Sequence, residues 1–510
     1  MAIALGLAVG MTAMPTLAAE KKTLVFGDTT FNAENEEADI NPQNTYAGWA
    51  CIRYGVGETL FRYSDTMEIE PWIAKEYENI DELTWKITLN DGVVFSNGRA
   101  CDGEAVKESL EALVANHERA AGDLCIDTIE ADGNTVTIKT TEPKPALINY
   151  LSDPYGCIID MQAGISDDGI VIGTGPYVAT ELVTDDHVNL VKNENYWDGE
   201  VPLDKVTLKC VDDQTTRSMA LQTGEIDIAY NLKTENLVEF EGNDNYDIQE
   251  LQSLRSTYAF MNQNEDHALS DKALRQALLR GLDKETYCNT LLEGGATAGK
   301  APVPPTLDFG FDDLKDENAY DPDGAKKILE EAGYKDVDGD GFVETPDGDP
   351  LVLDFVIYTS RAELGVYAQA AQASLKEIGI NVNLNTVSYE TLLDMRDSGQ
   401  YDLLIWNVLV ANTGDPENYL RENWYSSSAN NTAGYNNPDV DKLLDELAQT
   451  FDEDARKDLI IDIQQDIMDD AATVFFGYET TYLFSNKKVT GVKMYPMDYY
   501  WLTKDITLAE

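Results

Sequence analysis

Two hydrophobic periods run along the chain. Alternation with a period of two marks TVTIKT (135–140), VNLVKN (188–193), DKVTLKCV (204–211) and NVNLNTV (381–387) as strands with one buried face. A period near 3.6 marks helices. After Asp102, a side chain suited to capping, Ala105, Val106, Ser109, Leu110 and Leu113 share one face of a helix from Gly103 to about Asn116. DKALRQALLRGL (271–282) stacks Leu274, Ala277, Leu278 and Leu282 on one stripe, and Asp321-Pro322 opens a helix through Glu331. Further helices are expected over 215–223, 363–378, 438–449 and 453–470. The strongly apolar runs LVLDFVIY (351–358) and YDLLIWNVLV (401–410) read as buried strands. TLVFGD (23–28), EIDIAY (225–230) and 473–484 add more. TWKITLN (84–90), the turn Asn90-Asp91-Gly92 and the following VVFS predict a hairpin, since Asp-Gly supplies positive φ. Strands and helices alternate in the second half, which points to a mixed α/β chain.

Length and charge narrow the picture. At a prior of roughly 150 residues per domain, 510 residues allow about three domains. The hydrophobic fraction of 43% is that of a globular protein. Against 37 Lys and Arg stand 93 Asp and Glu, a formal charge of −56. Such a surface repels nucleic-acid phosphates, so no nucleic-acid partner is expected. MAIALGLAVGMTAMPTLAAE begins with an apolar run that Pro15 breaks, then small residues, so residues 1–19 are expected to be a secretory signal peptide. An exported chain, facing the periplasm or the cell exterior, is permitted disulfides. The six cysteines (51, 101, 125, 157, 210 and 288) contain no C-x-x-C pair, and the reading is open between one or two bridges and buried free thiols.

Catalytic patterns are missing. Only His117, His187 and His267 occur, and the residue four after His117 is Ala121, so no zinc-protease pair forms. No G-x-S-x-G elbow or phosphate loop is present. This argues against a hydrolase and for a protein that binds a solute. One acidic loop stands out: DVDGDGFVETPD (336–347). Asp336, Asp338, Asp340, Glu344 and Asp347, with the Phe342 carbonyl, follow calcium-loop spacing around Gly341. The loop joins a helix to a strand, so a structural Ca2+ staple is expected rather than a sensor; no cofactor is required.

A wider likeness then enters. GETLFRYS, Pro71-Trp72-Ile73-Ala74, Trp85 and the Asp91–Gly98 turn resemble the signature region of the extracytoplasmic solute-binding proteins of peptide and nickel ABC transporters, family 5. GTGPY (173–177), NENYWDG (193–199), ALQTGEIDIA (220–229), LSDKALRQALLRGLDKE, GDPENYL and NTAGYNNPDVDKLLDE are similar to further family segments, in the same order. The resemblance implies an α/β clamshell of two lobes with an extra third domain. It implies lobe one at about 20–50, 168–264 and 484–510, the extra domain at 51–167, and lobe two at 265–483, with the connections near 264 and 484. It implies capture of a peptide between the lobes, delivery to a permease, and a monomer. Another solute, such as an oligosaccharide or metal chelate, an exported hydrolase, and coupling to a signalling partner remain the alternatives. Peptide-binding members hold the ligand's ammonium on an aspartate shortly after a tryptophan-bearing strand. Here Trp406 is present but Asn412 occupies that place. Arg361 is a candidate for a ligand carboxylate. Tyr46, Trp49 and Tyr54 in one lobe, and Trp424 and Tyr425 in the other, are candidates for cleft aromatics.

Overall fold

The computed structural model describes residues 21–29, 31, 39–358 and 361–509. The expected signal peptide lies outside them. Among the described residues, no helix is long and apolar enough to cross a membrane.

One mixed sheet of eleven strands spans two lobes. Its order runs 381–387, 352–358, 403–409, 246–261, 473–486, 228–230, 23–28, 205–210, 187–192, 177–183, with 296–298 paired to 473–486 off this path. Strand 352–358 pairs in parallel with both its neighbours, and 23–28 does the same in the other half. These strands are apolar runs seen in the sequence, buried over most of their length. Two long antiparallel strands, Tyr246–Met261 and Thr473–Asn486, hold the halves together. Their register shifts between Gln252 and Ser256, where the chain passes from one lobe to the other.

Three hydrophobic cores match the two lobes and extra domain. The second lobe's core runs from Tyr258 to Phe476, and the first lobe's resumes at Leu483. Both crossings lie inside the paired strands, close before residues 264 and 484. The reason is that both strands continue through both lobes. The extra domain packs a four-stranded sheet against the helix Gly103–Asn116, with a core from Leu60 to Ile158. Cys51, Ile52, Tyr54 and Val56 pack instead with the first lobe.

Local signals were mostly sound. Asp102 accepts from the Ala105 N–H at 3.1 Å, and Asp321 from Gly324 at 2.9 Å, caps each contributing about 1 kcal/mol. The expected hairpin is corrected. Gly92 does turn at φ +79°, but Thr84–Leu89 pairs with Ala74–Asp81 and Thr135–Thr140, while Val94 makes only a single bridge to Ala100. The turn chemistry is local; the pairing partner is not. All six cysteines are free, and Cys51 and Cys157 lie side by side against Gly57.

Candidate functional site

Between the lobes lies a cavity of about 680 Å3. It forms where the carboxyl ends of parallel strands from both halves converge: Thr29 and Asn231 follow strands of the first lobe, Arg361 and Asn412 those of the second. Ligands of open α/β sheets bind at such ends, and the volume suits a small molecule.

The wall chemistry departs from the surface. The chain has 12 arginines and 25 lysines, and five of the arginines but no lysine line the cavity. They face five acids, Asp123, Asp415, Glu422, Glu479 and Asp498. A molecule of charge −56 thus holds a cleft with balanced formal charge.

The arginines are not equivalent. Arg53 is fixed: its guanidinium binds Asp498 at 2.6 Å and lies between Trp49 and Trp501, 4.7 and 4.6 Å from their rings. Arg119 reaches Asp153 at 3.5 Å and Asp123 at 4.0 Å. Arg255, on the register shift of the long strand, donates only to Asn407 Oδ1 at 3.1 Å and forms no salt bridge among the described residues. Arg361 opens the helix Ala362–Glu377 and meets a single carboxylate, Glu363, at 3.8 Å. Burial, then the neighbouring Arg361, hold the Arg255 pKa down to about 10. Burial pulls Arg361 down too, but Glu479 and Glu363 outweigh it and leave its pKa raised. Two cations side by side, each with spare donors, are suited to an incoming carboxylate.

A second charged cluster in the wall joins Asp123 and Glu422 to Arg119. Burial raises the pKa of Asp123 despite Arg119, and burial likewise raises Glu422. Asn412 spans the walls: its amide donates to Asp153 Oδ2 and to the Tyr499 hydroxyl, each at 3.1 Å.

Comparison with known proteins decides what the cleft belongs to. The family model for bacterial extracellular solute-binding proteins, family 5, matches residues 68–431. The chain belongs to that family. It is a substrate-binding protein of an ABC importer. This family 5 protein is 25% identical to the nickel-binding protein NikA of Staphylococcus aureus over 90% of each chain. It is 28% identical to the glutathione-binding protein GsiB of Pectobacterium atrosepticum over 100% of this chain and 98% of that one. The crystal structure of a nickel ABC transporter protein from Bacillus halodurans superposes with a TM-score of 0.81 at 29% identity, covering 96% and 100% of the two chains.

All five residues singled out in the sequence, Tyr46, Trp49, Arg361, Trp406 and Asn412, border the cavity of this family 5 protein. Three further aromatic candidates do not. Trp424 is 1% exposed and donates to Thr473 Oγ1 at 3.2 Å, Tyr54 is core, and Tyr425 sits outside the wall. Sequence reading missed Arg119, Arg255, Arg396, Tyr389 and Glu479. The scarcity of arginine in so acidic a chain was the signal that could have found the first three.

The acidic loop lies away from the cavity. Asp336, Asp338 and Asp340 bring their carboxylates within 4.8 Å of one another, with Asp336 accepting from Gly339 and Gly341. Glu344 and Asp347 are not in that group. Glu344 is buried and accepts from the Val337 N–H at 2.8 Å, and it is the Phe342 N–H that binds Asp340.

Proposed function

We propose that this receptor captures short peptides, holding the carboxylate terminus on Arg255 and Arg361. The observation that carries this reading is the pair of neighbouring guanidiniums bordering the cavity with spare donors, Glu363 being the one carboxylate within 4 Å of either among the described residues and Glu479 lying near both. Glu479 beside them accepts from Asn407 and from Thr257 at 3.2 Å, so it is already engaged. A ligand carboxylate completes the charge balance there, since an unpaired buried cation is costly.

A peptide also has an ammonium group. Asn412 carries no charge, and its amide nitrogen is held by Asp153 and Tyr499, so a charged partner for the ammonium is sought elsewhere in the wall. Asp123 and Glu422 provide that partner: a cation between them relieves carboxylates that burial makes reluctant to ionise. An arginine pair for the carboxylate and an acid pair for the ammonium together fit a zwitterion. None of the three histidines borders the cavity, which weighs against bare metal capture. Glutathione, which gives one relative its name, is itself a tripeptide. The protein acts without catalysis, outside the membrane, and delivers its solute to a permease.

Native mass spectrometry of the purified protein, followed by calorimetric titration with dipeptides and with nickel–histidine, tests the reading. Added masses of mixed peptides and dipeptide binding support it. Uptake of the nickel complex alone, with no peptide binding, overturns the peptide assignment and leaves the receptor standing.

A further inference from the structure

Most aromatic side chains of this protein are packed away, but two in the cavity wall are not. Tyr46 is 52% exposed and Tyr389 is 44% exposed. No other strongly exposed large apolar or aromatic side chain among the described residues borders the cavity. The two come from opposite lobes. Tyr46 precedes the helix Ala47–Arg53, and Tyr389 begins the helix Tyr389–Ser398, which Ser388 caps by accepting from Thr391 at 3.3 Å.

Each ring is propped from behind. Tyr389 packs 6.1 Å from Trp406 at an interplanar angle of 32°, and 5.3 Å from Tyr358. Arg396 lies 5.3 Å from the centre of the Trp406 ring, and Arg119 lies 5.9 Å from that of Tyr46. A propped ring with an open face is a low-entropy surface for a second ring, and covering it removes apolar area from water. The open face of Tyr389 stands close to the arginine pair, and Tyr46 lies near enough to Tyr389 to act on its hydroxyl. Tyr358 ends the strand Val352–Tyr358, packs on Tyr389, and lies near enough to Arg361 and Arg255 to feel both charges. A group lodged against Tyr389 is therefore one side chain away from a carboxylate held by the arginines. Ring and carboxylate fit on one residue.

We propose that Tyr46 and Tyr389 form an aromatic clamp that selects peptides whose C-terminal residue has an aromatic side chain. The clamp rests on the assignment of Arg255 and Arg361 as the carboxylate anchor. It assigns the cleft a preference rather than the broad tolerance of a watery pocket.

The test is calorimetric titration of the full mature chain, dialysed free of carried ligand, with Ala-Phe, Ala-Leu and 3-phenylpropionate. The last has ring and carboxylate but neither amide nor amine. Ala-Phe is expected to bind at least about tenfold tighter than Ala-Leu. Tyr389→Leu is expected to shrink that ratio below about threefold, whereas Tyr389→Phe keeps it. Thermal melts establish that both variants fold. Equal binding of the two dipeptides overturns the clamp and leaves the peptide reading intact. So does a ratio that survives Tyr389→Leu. Binding of 3-phenylpropionate with neither dipeptide overturns the peptide reading and, with it, the clamp's choice among peptides. Binding of none of the three overturns both.

Discussion

Arg456 and Arg361 are the same side chain in two different employments. Arg456, on the helix Glu453–Asp469, gives its donors to the Leu447 and Thr450 carbonyls, to Asp415 at 2.6 Å and to Glu417 at 3.3 Å. Every face of the guanidinium is spoken for. Arg361 has one acid at 3.8 Å and a cavity in front of it. Burial treats both alike, and neighbours set both above the ordinary value. What separates them is completeness of pairing. A satisfied buried charge holds a fold, and an unsatisfied one at a cavity wall waits for a partner.

The sharpest way to break this contrast is to remove the satisfied arginine. Arg456→Ala leaves Asp415 and Glu417 unpaired and is expected to lower stability by ~3–5 kcal/mol. Urea denaturation measures it, and a loss under 1 kcal/mol would erase the distinction. Arg361→Met is expected to do the reverse. Ligand affinity should fall by about 3 kcal/mol, more than a hundredfold, while stability falls far less than in Arg456→Ala, because the loss of a neighbour for Glu363 and Glu479 is offset in part by relief of Arg255 from a like charge. Calorimetry beside a thermal melt separates the two effects.

Glu58 tests the same idea with an acid. It is 0% exposed and accepts from Thr174, Tyr196 and Trp197, each at 2.8 Å, with no cation in contact. Burial pushes its carboxyl up to about 7 against these bonds. Between about pH 4.5 and 7 the folded chain keeps a proton that the unfolded chain has released, so stability falls as pH rises through that window. Glu58→Gln removes this slope. Relative to the parent it should gain about 2–3 kcal/mol across the window and then level off. Unfolding curves at four pH values follow the difference, and a flat difference refutes the assignment.

The smallest effect belongs to Lys233, which pairs with Glu363 at 3.0 Å across the lobes and is about one-third exposed. Lys233→Met is expected to weaken ligand binding by no more than about 1 kcal/mol, through a less favoured closed form. Small-angle scattering with and without ligand reports that shift.

How much of this was legible in the sequence depends on the range over which each signal acts. Caps and stripes act within a few residues, so the helices Gly103–Asn116 and Pro322–Ala332 stood out. The strand Tyr246–Met261 did not. It is half-buried in one lobe and fully buried in the next, so no single alternation runs through it. Arg255 was hidden with it. The helix Tyr389–Ser398 buries only Leu392, too little to make a stripe, and so Tyr389 and Arg396 were missed. Trp424 and Trp406 are alike in composition, and only packing tells the core ring from the cleft ring. The family segments were readable because they are ordered along most of the chain. The ligand is not written in them, since it is read by side chains that separate elements of both lobes and the extra domain bring together.

The shifted pairing of the two long strands has a consequence for how such a molecule is assembled. Gln252 and Thr480 are direct partners, so the polypeptide leaves the first lobe and re-enters it at adjoining points. The second lobe is a single detour spliced into a hairpin. Its helices and its share of the cleft can be exchanged as one cassette, with the two ends already side by side and the other lobe's threading undisturbed.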